Sequence, residues 1–189
     1  MSKLWLRHER AALVVVDFQE KLAKAMPAEA LERATKNVLV LLEAARRMRF
    51  SVILTEQYPK GLGHTIAPIQ DALAKFETKP PVIEKVYFDA CSVPSFLRTF
   101  DSFGASQVIV VGMEAHVCVY QTVRGLGVQG LAVHVPLDAV VSRAESNVRI
   151  AAELLDKTGA IVTSTETVIF DLLGAAEGET FKALSKMIK

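Results

Sequence analysis

Six short apolar runs recur along the chain, separated by longer stretches in which apolar residues return every three or four positions. Residues 108–111 form one such run without polar alternation, which predicts a strand buried on both faces. The other runs lie at residues 11–16, 51–55, 82–85, 131–135 and 160–163. Strands that alternate with helices predict an α/β fold of the three-layer, Rossmann type. Its sheet would be doubly wound, six-stranded and mostly parallel, with helices on both faces.

The stretches between the runs carry the helices. In residues 31–48, one helix face collects the apolar positions Val38, Leu41, Leu42, Ala45 and Met48. Ser142 and Glu145 have the spacing of a capping box, which predicts a helix that starts at Ser142. The helix after the fourth run is expected to end at Gly125 and Gly127, because glycine commonly ends helices.

Length and charge narrow the function classes. The chain has 189 residues, so we expect a single domain over residues 1–189. A formal net charge of +1 argues against nucleic-acid or membrane-surface binding driven by bulk charge. No apolar run is as long as a membrane span or a secretory leader, and the two cysteines, Cys91 and Cys118, make no disulfide framework. We therefore expect a soluble, reduced, cytoplasmic protein whose partner is a small-molecule substrate.

Three chemistry-bearing residues, Asp17, Lys85 and Cys118, each lie at or just past the end of a different run. The carboxyl ends of parallel strands meet at the sheet edge where α/β proteins bind ligands, so these side chains can lie together. Cys118 would begin a helix, where the helix dipole lowers a thiol pKa and makes it a better nucleophile. Plainer interpretations are a small core residue for Cys118, a helix cap for Asp17 and a solvated cation for Lys85.

Together these groups can perform acyl transfer. Cys118 would attack an acyl carbon, and Asp17 would take the thiol proton and later give it to a leaving amine. Lys85 would favour the charged forms of both, and backbone N–H groups at the helix start would hold the oxyanion. The chain has no glycine-rich phosphate cradle, and its histidines lack metal-ligand spacing, so we expect neither cofactor nor metal. His134, in mid-strand, is expected to be a satisfied core or surface histidine.

Four segments resemble the isochorismatase-like cysteine hydrolases, a family related to the nicotinamidases. The segments are LVVVDFQ, EKVYFDA, VVGMEAHVCV and VPLDAVVSR, at residues 13–19, 84–90, 110–119 and 135–143. The resemblance implies an Asp-Lys-Cys triad at Asp17, Lys85 and Cys118. It also implies a cis peptide between Met113 and Glu114, an oxyanion hole formed by the N–H groups of Glu114 and Cys118, and a homo-oligomer, dimeric or larger.

Members of that family differ in the segment after the second strand, and this difference guides the choice of substrate class. Residues 56–63, EQYPKGLG, stand where nicotinamidases carry an Asp-x-His metal motif, and they resemble the small isochorismatase domain-containing subgroup. The leading hypothesis is a hydrolase that cleaves the C–N bond of a small amide through a thioester. The predicted substrate-binding residues are Phe18, Tyr58, Phe88 and His116, with core packing as the alternative for the aromatic side chains.

Three other functions stay open. An isochorismatase-type enzyme would hydrolyse a vinyl ether, a reaction that needs no cysteine nucleophile. A non-catalytic binding protein could use the same fold, although that role gives no reason to keep Asp17 and Lys85 beside a thiol. A redox role for Cys118 would need Cys91 within disulfide reach.

Overall fold

Seven parallel strands build the sheet of the computed structural model, which describes residues 3–188. In chain order they are β1 (Ala11–Val16), β2 (Ser51–Gln57), β3 (Val82–Lys85), β4 (Gln107–Met113), β5 (Ala132–Pro136), β6 (Val140–Val141) and β7 (Ile161–Thr163). Across the sheet the order is β3-β2-β1-β4-β5-β7, and β6 pairs with the end of β4. The predicted parallel α/β sheet is therefore confirmed.

Helices connect the strands and cover both faces of the sheet. In the described part of the chain they are α1 (Glu20–Lys24), α2 (Ala28–Met48), α3 (Pro59–Leu62), α4 (Ala67–Leu73), α5 (Pro94–Asp101), α6 (Tyr120–Val128), α7 (Glu145–Lys157), α8 (Thr165–Leu173) and α9 (Gly178–Ile188). A π-helical turn, Ala115–Val119, precedes α6. Within residues 3–188, no helix combines the length and the apolar character that crossing a membrane requires.

The prediction of six strands is wrong by one, because β6 consists of only two residues, Val140 and Val141. A strand this short shows neither alternation nor a continuous apolar run in the sequence. It pairs with Gly112 and Met113, whereas β5 pairs with the first part of β4. The extra strand therefore widens the sheet only at its carboxyl edge.

The core consists of two apolar layers, one on each face of the sheet, and β1 contributes to both. Leu13 and Val15 pack in the layer formed with α2, α4, α8 and α9. Val14 and Val16 pack in the layer formed with α5, α6 and α7. All four side chains are fully buried, and each contributes roughly 1.5–3 kcal/mol of burial free energy. Burial on both faces explains why the sequence shows runs instead of alternation.

Two local predictions about helix ends are wrong. Gly125 and Gly127 lie inside α6, which continues to Val128. A Cβ at Gly125 would lie 2.7 Å from a carboxylate oxygen of Asp89, so this glycine allows close packing instead of ending the helix. Helix α7 begins at Glu145 and has no side-chain cap, since Ser142 is buried and bonds to another group.

Gly112 allows the closest approach of β1 and β4. It has a positive φ of 126° and stands opposite Val16 in the register of the two strands. A Cβ at this position would lie 2.0 Å from the Val16 carbonyl oxygen, a main-chain atom that cannot move away independently. Glycine is required here because both the backbone conformation and the space exclude a side chain.

Replacing Gly112 with alanine is expected to lower the free energy of unfolding by about 3 kcal/mol or more, because a main-chain clash adds to the cost of the positive φ. Urea denaturation measures the change. The matched control is Gly104→Ala, which also has a positive φ but has open space around the added Cβ. The control should lose only about 1–2 kcal/mol. Equal losses in the two variants would contradict the clash.

His134 is buried in β5, with an exposed fraction of 2%. Within residues 3–188 its Nε2 atom has no hydrogen-bond partner, so the expectation of a satisfied histidine is wrong for that atom. Burial lowers the pKa of the ring, while a backbone hydrogen bond with Lys3 and the charge of Asp171 oppose the shift only in part. The folded protein therefore favours neutral His134.

The lowered pKa predicts acid destabilisation. An unfolded chain binds a proton at His134 near the ordinary value of 6.5, before the folded protein does. The stability contribution is thus fully present above about pH 6.5 and is lost as the pH falls towards the folded pKa. Unfolding free energies between pH 5 and 7.5 should show this loss in the wild type and not in His134→Leu. A His8→Leu control should keep the wild-type slope, and the same slope in His134→Leu would contradict the prediction.

Candidate active site

The three predicted residues meet at the carboxyl edge of the sheet. Asp17 follows β1 directly, Lys85 is the last residue of β3, and Cys118 lies in the π-helical turn after β4. Strand β1 is central between β2 and β4, and β3 lies beyond β2. The long side chain of Lys85 reaches past β2 to Asp17 at the end of β1, so residues far apart in the sequence share one site.

Asp17 and Lys85 form a fully buried ion pair. Lys85 Nζ lies 2.6 Å from Asp17 Oδ2, and both side chains are 0% exposed. The hydroxyl of Thr55 donates to the other carboxylate oxygen, Oδ1, at 2.7 Å. The Asp17 backbone has a positive φ of 48° and its N–H bonds to the Thr55 carbonyl at 3.1 Å. Both carboxylate oxygens are therefore held in fixed directions.

The ammonium group of Lys85 is surrounded by oxygen atoms. Besides Asp17, it donates to Gln57 Oε1 at 3.0 Å and to the carbonyls of Tyr87 and Phe88 at 3.2 and 3.4 Å. A buried cation needs this compensation, because it has lost its water. The sequence predictions missed Thr55 and Gln57. The available signal was that both are polar residues at the end of an apolar run, at the functional edge.

A second glutamine, Gln19, lies just after β1 and holds Gln57 in position. Gln19 is fully buried, and its Oε1 accepts from the Gln57 backbone N–H at 2.7 Å. Its Nε2 donates to the carbonyls of Gln57 and Gly63. Gln19 therefore ties the end of β2 to the loop that follows, and it stabilises the position of the Gln57 side chain on Lys85.

Cys118 is buried, and its thiol has a high pKa. Burial, helped by the negative charge of Asp17, raises the pKa to about 12, although the charge of Lys85 opposes the rise. The prediction of a lowered pKa is therefore wrong. The start of a helix favours the thiolate, but burial and the neighbouring carboxylate outweigh it.

Met113 and Glu114 are joined by a cis peptide bond, as the family resemblance implies. The Glu114 carboxylate accepts from the backbone N–H of Arg143 at 3.0 Å and from its Nε at 3.1 Å. Burial opposes the charge on Glu114, but these hydrogen bonds hold its pKa below the ordinary value. The sequence predictions missed Arg143 as a partner. The only indication in the sequence was that Arg143 belongs to the segment at residues 135–143, which resembles the family.

His116 is held by its neighbours on both ring nitrogens. Nδ1 lies 3.0 Å from Ser142 Oγ, and Nε2 lies 3.2 Å from the amide nitrogen of Asn147. With the Asn147 amide donating to Nε2, Nδ1 carries the ring proton and donates to Ser142. Both ring nitrogens are thus already hydrogen-bonded within the protein, so His116 can contact a substrate mainly through van der Waals packing.

The predicted aromatic residues occupy different places. Phe18 is 1% exposed and packs in the core layer with α2, which is the alternative left open by the sequence. Tyr58 and Phe88 are 55% and 52% exposed. Tyr58 also lines a cavity of 380 Å³ together with Tyr87 and Lys85. Tyr58 is thus exposed in a cavity beside Lys85, whereas Phe18 packs in the core.

The other acidic, histidine and cysteine side chains near the site have contacts of their own. Within residues 3–188, no group of three or more His, Cys, Asp and Glu side chains is arranged to hold a metal ion. Glu56 instead accepts from His64 and Thr65, which keeps the loop after β2 in place. Cys91 and Cys118 are both free thiols, and burial together with Asp89 raises the pKa of Cys91 to about 12.

A family model for the isochorismatase domain matches residues 11–167, which contain Asp17, Lys85 and Cys118. The chain belongs to the isochorismatase-domain family. Among its relatives, isochorismatase domain-containing protein 1 of Salmo salar is 33% identical over 149 residues, which cover 79% of this chain and 51% of that protein. This isochorismatase-domain chain thus spans about half the length of the first curated relatives that it matches.

Solved structures agree with the family assignment. The MAR1 ribonuclease of Caenorhabditis elegans is 36% identical, with a TM-score of 0.88 over 97% of this chain and 91% of that one. A nicotinamidase from Staphylococcus aureus has a TM-score of 0.71 at 17% identity, covering 82% of this chain and 99% of its own. The octameric YcaC hydrolase from Escherichia coli has a TM-score of 0.87 at 21% identity, covering 96% and 89%. At these identities the last two show the fold alone.

The electrostatics of this isochorismatase-domain site predict how the thiol titrates. In a Cys91→Ser background, thiolate absorbance at 240 nm should show Cys118 titrating well above the ordinary cysteine pKa. Asp17→Asn should lower the pKa of Cys118, because the variant removes the negative charge that disfavours the thiolate. Asp171→Asn, a carboxylate on α8, is the matched control and should leave the titration unchanged. A Cys118 that titrates near its ordinary value and ignores Asp17→Asn would contradict the prediction.

Proposed function

We propose that the protein is a hydrolase that cleaves a small amide through a thioester at Cys118. The observation that carries the proposal is the buried carboxylate of Asp17, which pairs with Lys85 and lies close enough to Cys118 for its charge to raise the thiol pKa. A carboxylate held beside a thiol in this way can accept the thiol proton without a large movement. Membership of the isochorismatase-domain family supports a hydrolase.

The proposed first step forms the thioester. Cys118 Sγ attacks the amide carbon as its proton passes to Asp17, so a C–S bond forms and the carbonyl becomes an oxyanion. The C–N bond then breaks, and the amine leaves with the proton that Asp17 returns. In the second step, water attacks the thioester carbon and gives its proton to Asp17. The C–S bond then breaks, the carboxylic acid is released, and the proton passes from Asp17 to the Cys118 sulfur.

The high thiol pKa suits a nucleophile that is activated only when substrate is present. A resting thiol at this pKa is protonated, so it resists oxidation and alkylation. Transfer to Asp17 has to occur together with the attack on carbon. Lys85 stabilises the carboxylate between steps, and its four oxygen partners prevent it from moving towards the thiol.

The oxyanion would be held by the backbone N–H groups of Glu114 and Cys118. Glu114 directly follows β4 and Cys118 lies in the π-helical turn that comes next, so both N–H groups come from one short segment. Removing one such donor in other enzymes costs about 2.7–4 kcal/mol of transition-state stabilisation. The salt bridge between Glu114 and Arg143 stabilises this segment.

A neutral substrate fits the charges around the thiol. The charged groups nearest Cys118 form two pairs, Asp17 with Lys85 and Glu114 with Arg143. Each of these two carboxylates already has its cation, so neither pair has a net charge that would favour a charged substrate. We therefore propose a small, uncharged carboxamide. The cytoplasmic location and the homo-oligomer stay predictions.

Activity against small neutral amides, nicotinamide and benzamide among them, tests the proposal. Ammonia release should fall by roughly a thousandfold or more in Cys118→Ala and in Asp17→Asn, since each residue acts in the same step. Cys91→Ser is the matched control and should keep its activity. Intact-mass spectrometry during turnover should show an acyl adduct on the wild type and none on Cys118→Ala.

The alternative functions give distinct results. A vinyl ether hydrolase would consume isochorismate, would not need the thiol, and would keep its activity in Cys118→Ala. A binding protein would bind a ligand of the panel without ammonia release or an acyl adduct. Either result would overturn the thioester mechanism. Asp17→Asn separates the two roles of that residue, because it should make Cys118 a more acidic thiol and yet a poorer catalyst.

A further inference from the structure

The opposite edge of the sheet, away from the candidate site, carries two cavities. All strands are parallel, so their amino ends meet at this edge. A cavity of 410 Å³ lies below β1, β4 and β5, and Lys3, Trp5, Arg7 and Arg10 contribute to its lining. A cavity of 590 Å³ lies between the end of α2, the start of β2 and the segment before β3. We call the two linings together the basic floor.

The basic floor concentrates positive charge in a chain that is almost neutral overall. Its cations are Lys3, Arg7, Arg10, Arg46, Arg47, Arg49, Lys75 and Lys79. Glu77 is the one acidic residue among the described residues of the two linings. The whole chain has 22 lysines and arginines against 21 acidic residues. The net charge therefore hides a strongly asymmetric distribution.

Neighbouring carboxylates neutralise only part of this charge. Arg46 and Arg47 both pair with Glu43, and Arg7 lies 3.6 Å from Glu9. Among the described residues, Arg49, Lys75 and Lys79 form no ion pair. Positive charge therefore remains available in the second cavity.

Helix dipoles explain only some of these cations. Arg46 and Arg47 lie in the last turn of α2, where cations offset the dipole. Arg49 is different, because it adopts a positive φ of 59° at a position where glycine is the usual residue. Lys3 and Arg7 precede β1 and lie in no α-helix.

Aromatic side chains accompany the cations in both cavities. Trp5 is 56% exposed, and the guanidinium of Arg7 lies 5.2 Å from its ring centre. Phe76 and Phe103 line the second cavity and are partly buried. Of these rings, Trp5 is exposed enough to stack on a base. An exposed ring beside cations is the combination that binds single-stranded nucleic acids, since rings stack on bases while cations contact phosphates.

The two cavities follow each other along the edge. Phe103 lines the second cavity and Ser106 lines the first, and the backbone N–H of Ser106 bonds to the carbonyl of Arg10. The strand starts run from β3 to β5 across four strand spacings, a span of roughly 19 Å. A surface of that length suits an extended chain of phosphates better than a single one.

We propose that the basic floor binds single-stranded nucleic acid, with phosphates on Arg49, Lys79 and Arg7 and a base on Trp5. A net charge of +1 argues against binding driven by bulk charge, but local patches act within a Debye length of roughly 10 Å. This surface lies at the edge opposite Cys118 and does not depend on the proposed hydrolase function.

Fluorescence anisotropy of a labelled 12-nucleotide polyuridine RNA tests the proposal with the full chain. Binding should be measurable at 20 mM salt and should weaken linearly on a logarithmic salt scale, by about 0.7 in slope for each phosphate contact. Arg49→Ala with Lys79→Ala should reduce that slope by roughly 1.4 and weaken binding. Trp5→Ala should weaken binding with the slope unchanged, because stacking releases no counterions.

The matched control removes the same charge from the other edge. Lys21→Ala with Lys24→Ala in α1, two exposed lysines, should leave affinity and slope as in the wild type. Cys118→Ala should also bind normally, so failure of the hydrolase proposal would not affect this result. Circular dichroism verifies that each variant is folded.

Three results would overturn the proposal. The first is no binding at 20 mM salt. The second is equal weakening by the α1 pair and by the basic-floor pair, which would mean that charge alone is sensed. The third is tighter binding of anionic phosphatidylserine vesicles than of RNA, lost in the same basic-floor variants, which would assign the surface to a membrane.

Discussion

The buried ion pair between Asp17 and Lys85 is the constraint on which the rest of the site depends. It joins the end of β1 to the end of β3 across β2, and neither side chain has access to water. Breaking such a pair by removing one partner costs about 3–5 kcal/mol in other proteins, because a lone buried charge remains. Thr55 bonds the free oxygen of Asp17, and Gln57 accepts from Lys85. Gln19 bonds the backbone of Gln57 and so fixes the end of β2 that carries it.

The same pair sets the chemistry of the thiol. A carboxylate next to Cys118 makes the thiolate unfavourable, and in the proposed mechanism it also accepts the thiol proton. The ammonium group of Lys85 lies 2.6 Å from that carboxylate, and its charge opposes the rise in the thiol pKa. A buried, protonated thiol resists oxidation better than an exposed thiolate does. In the proposed mechanism, burial and activation are therefore two results of one arrangement.

Parallel strands give the sheet two chemically different edges. At the carboxyl edge, the Asp17–Lys85 pair is fully buried and lies close to the Cys118 thiol. At the amino edge, the two cavity linings carry mostly exposed cations and, among the described residues, a single acid, Glu77. This separation follows from the topology, because every loop that leaves a strand lies on one edge and every loop that enters a strand lies on the other.

The sequence by itself determined the sheet and most of its strands, and it placed Asp17 and Cys118 after apolar runs typical of buried parallel strands. Lys85 ends the short strand β3, of which only the lysine itself is buried. The sequence could not reveal β6, whose two residues are too few to show a pattern, or the role of Gly125, which depends on Asp89 from another segment. Only the tertiary structure decided the charge state of the thiol, because burial and the Asp17 carboxylate outweigh the local helix start. Periodicity records which residues are buried, whereas a pKa depends on which groups are buried together.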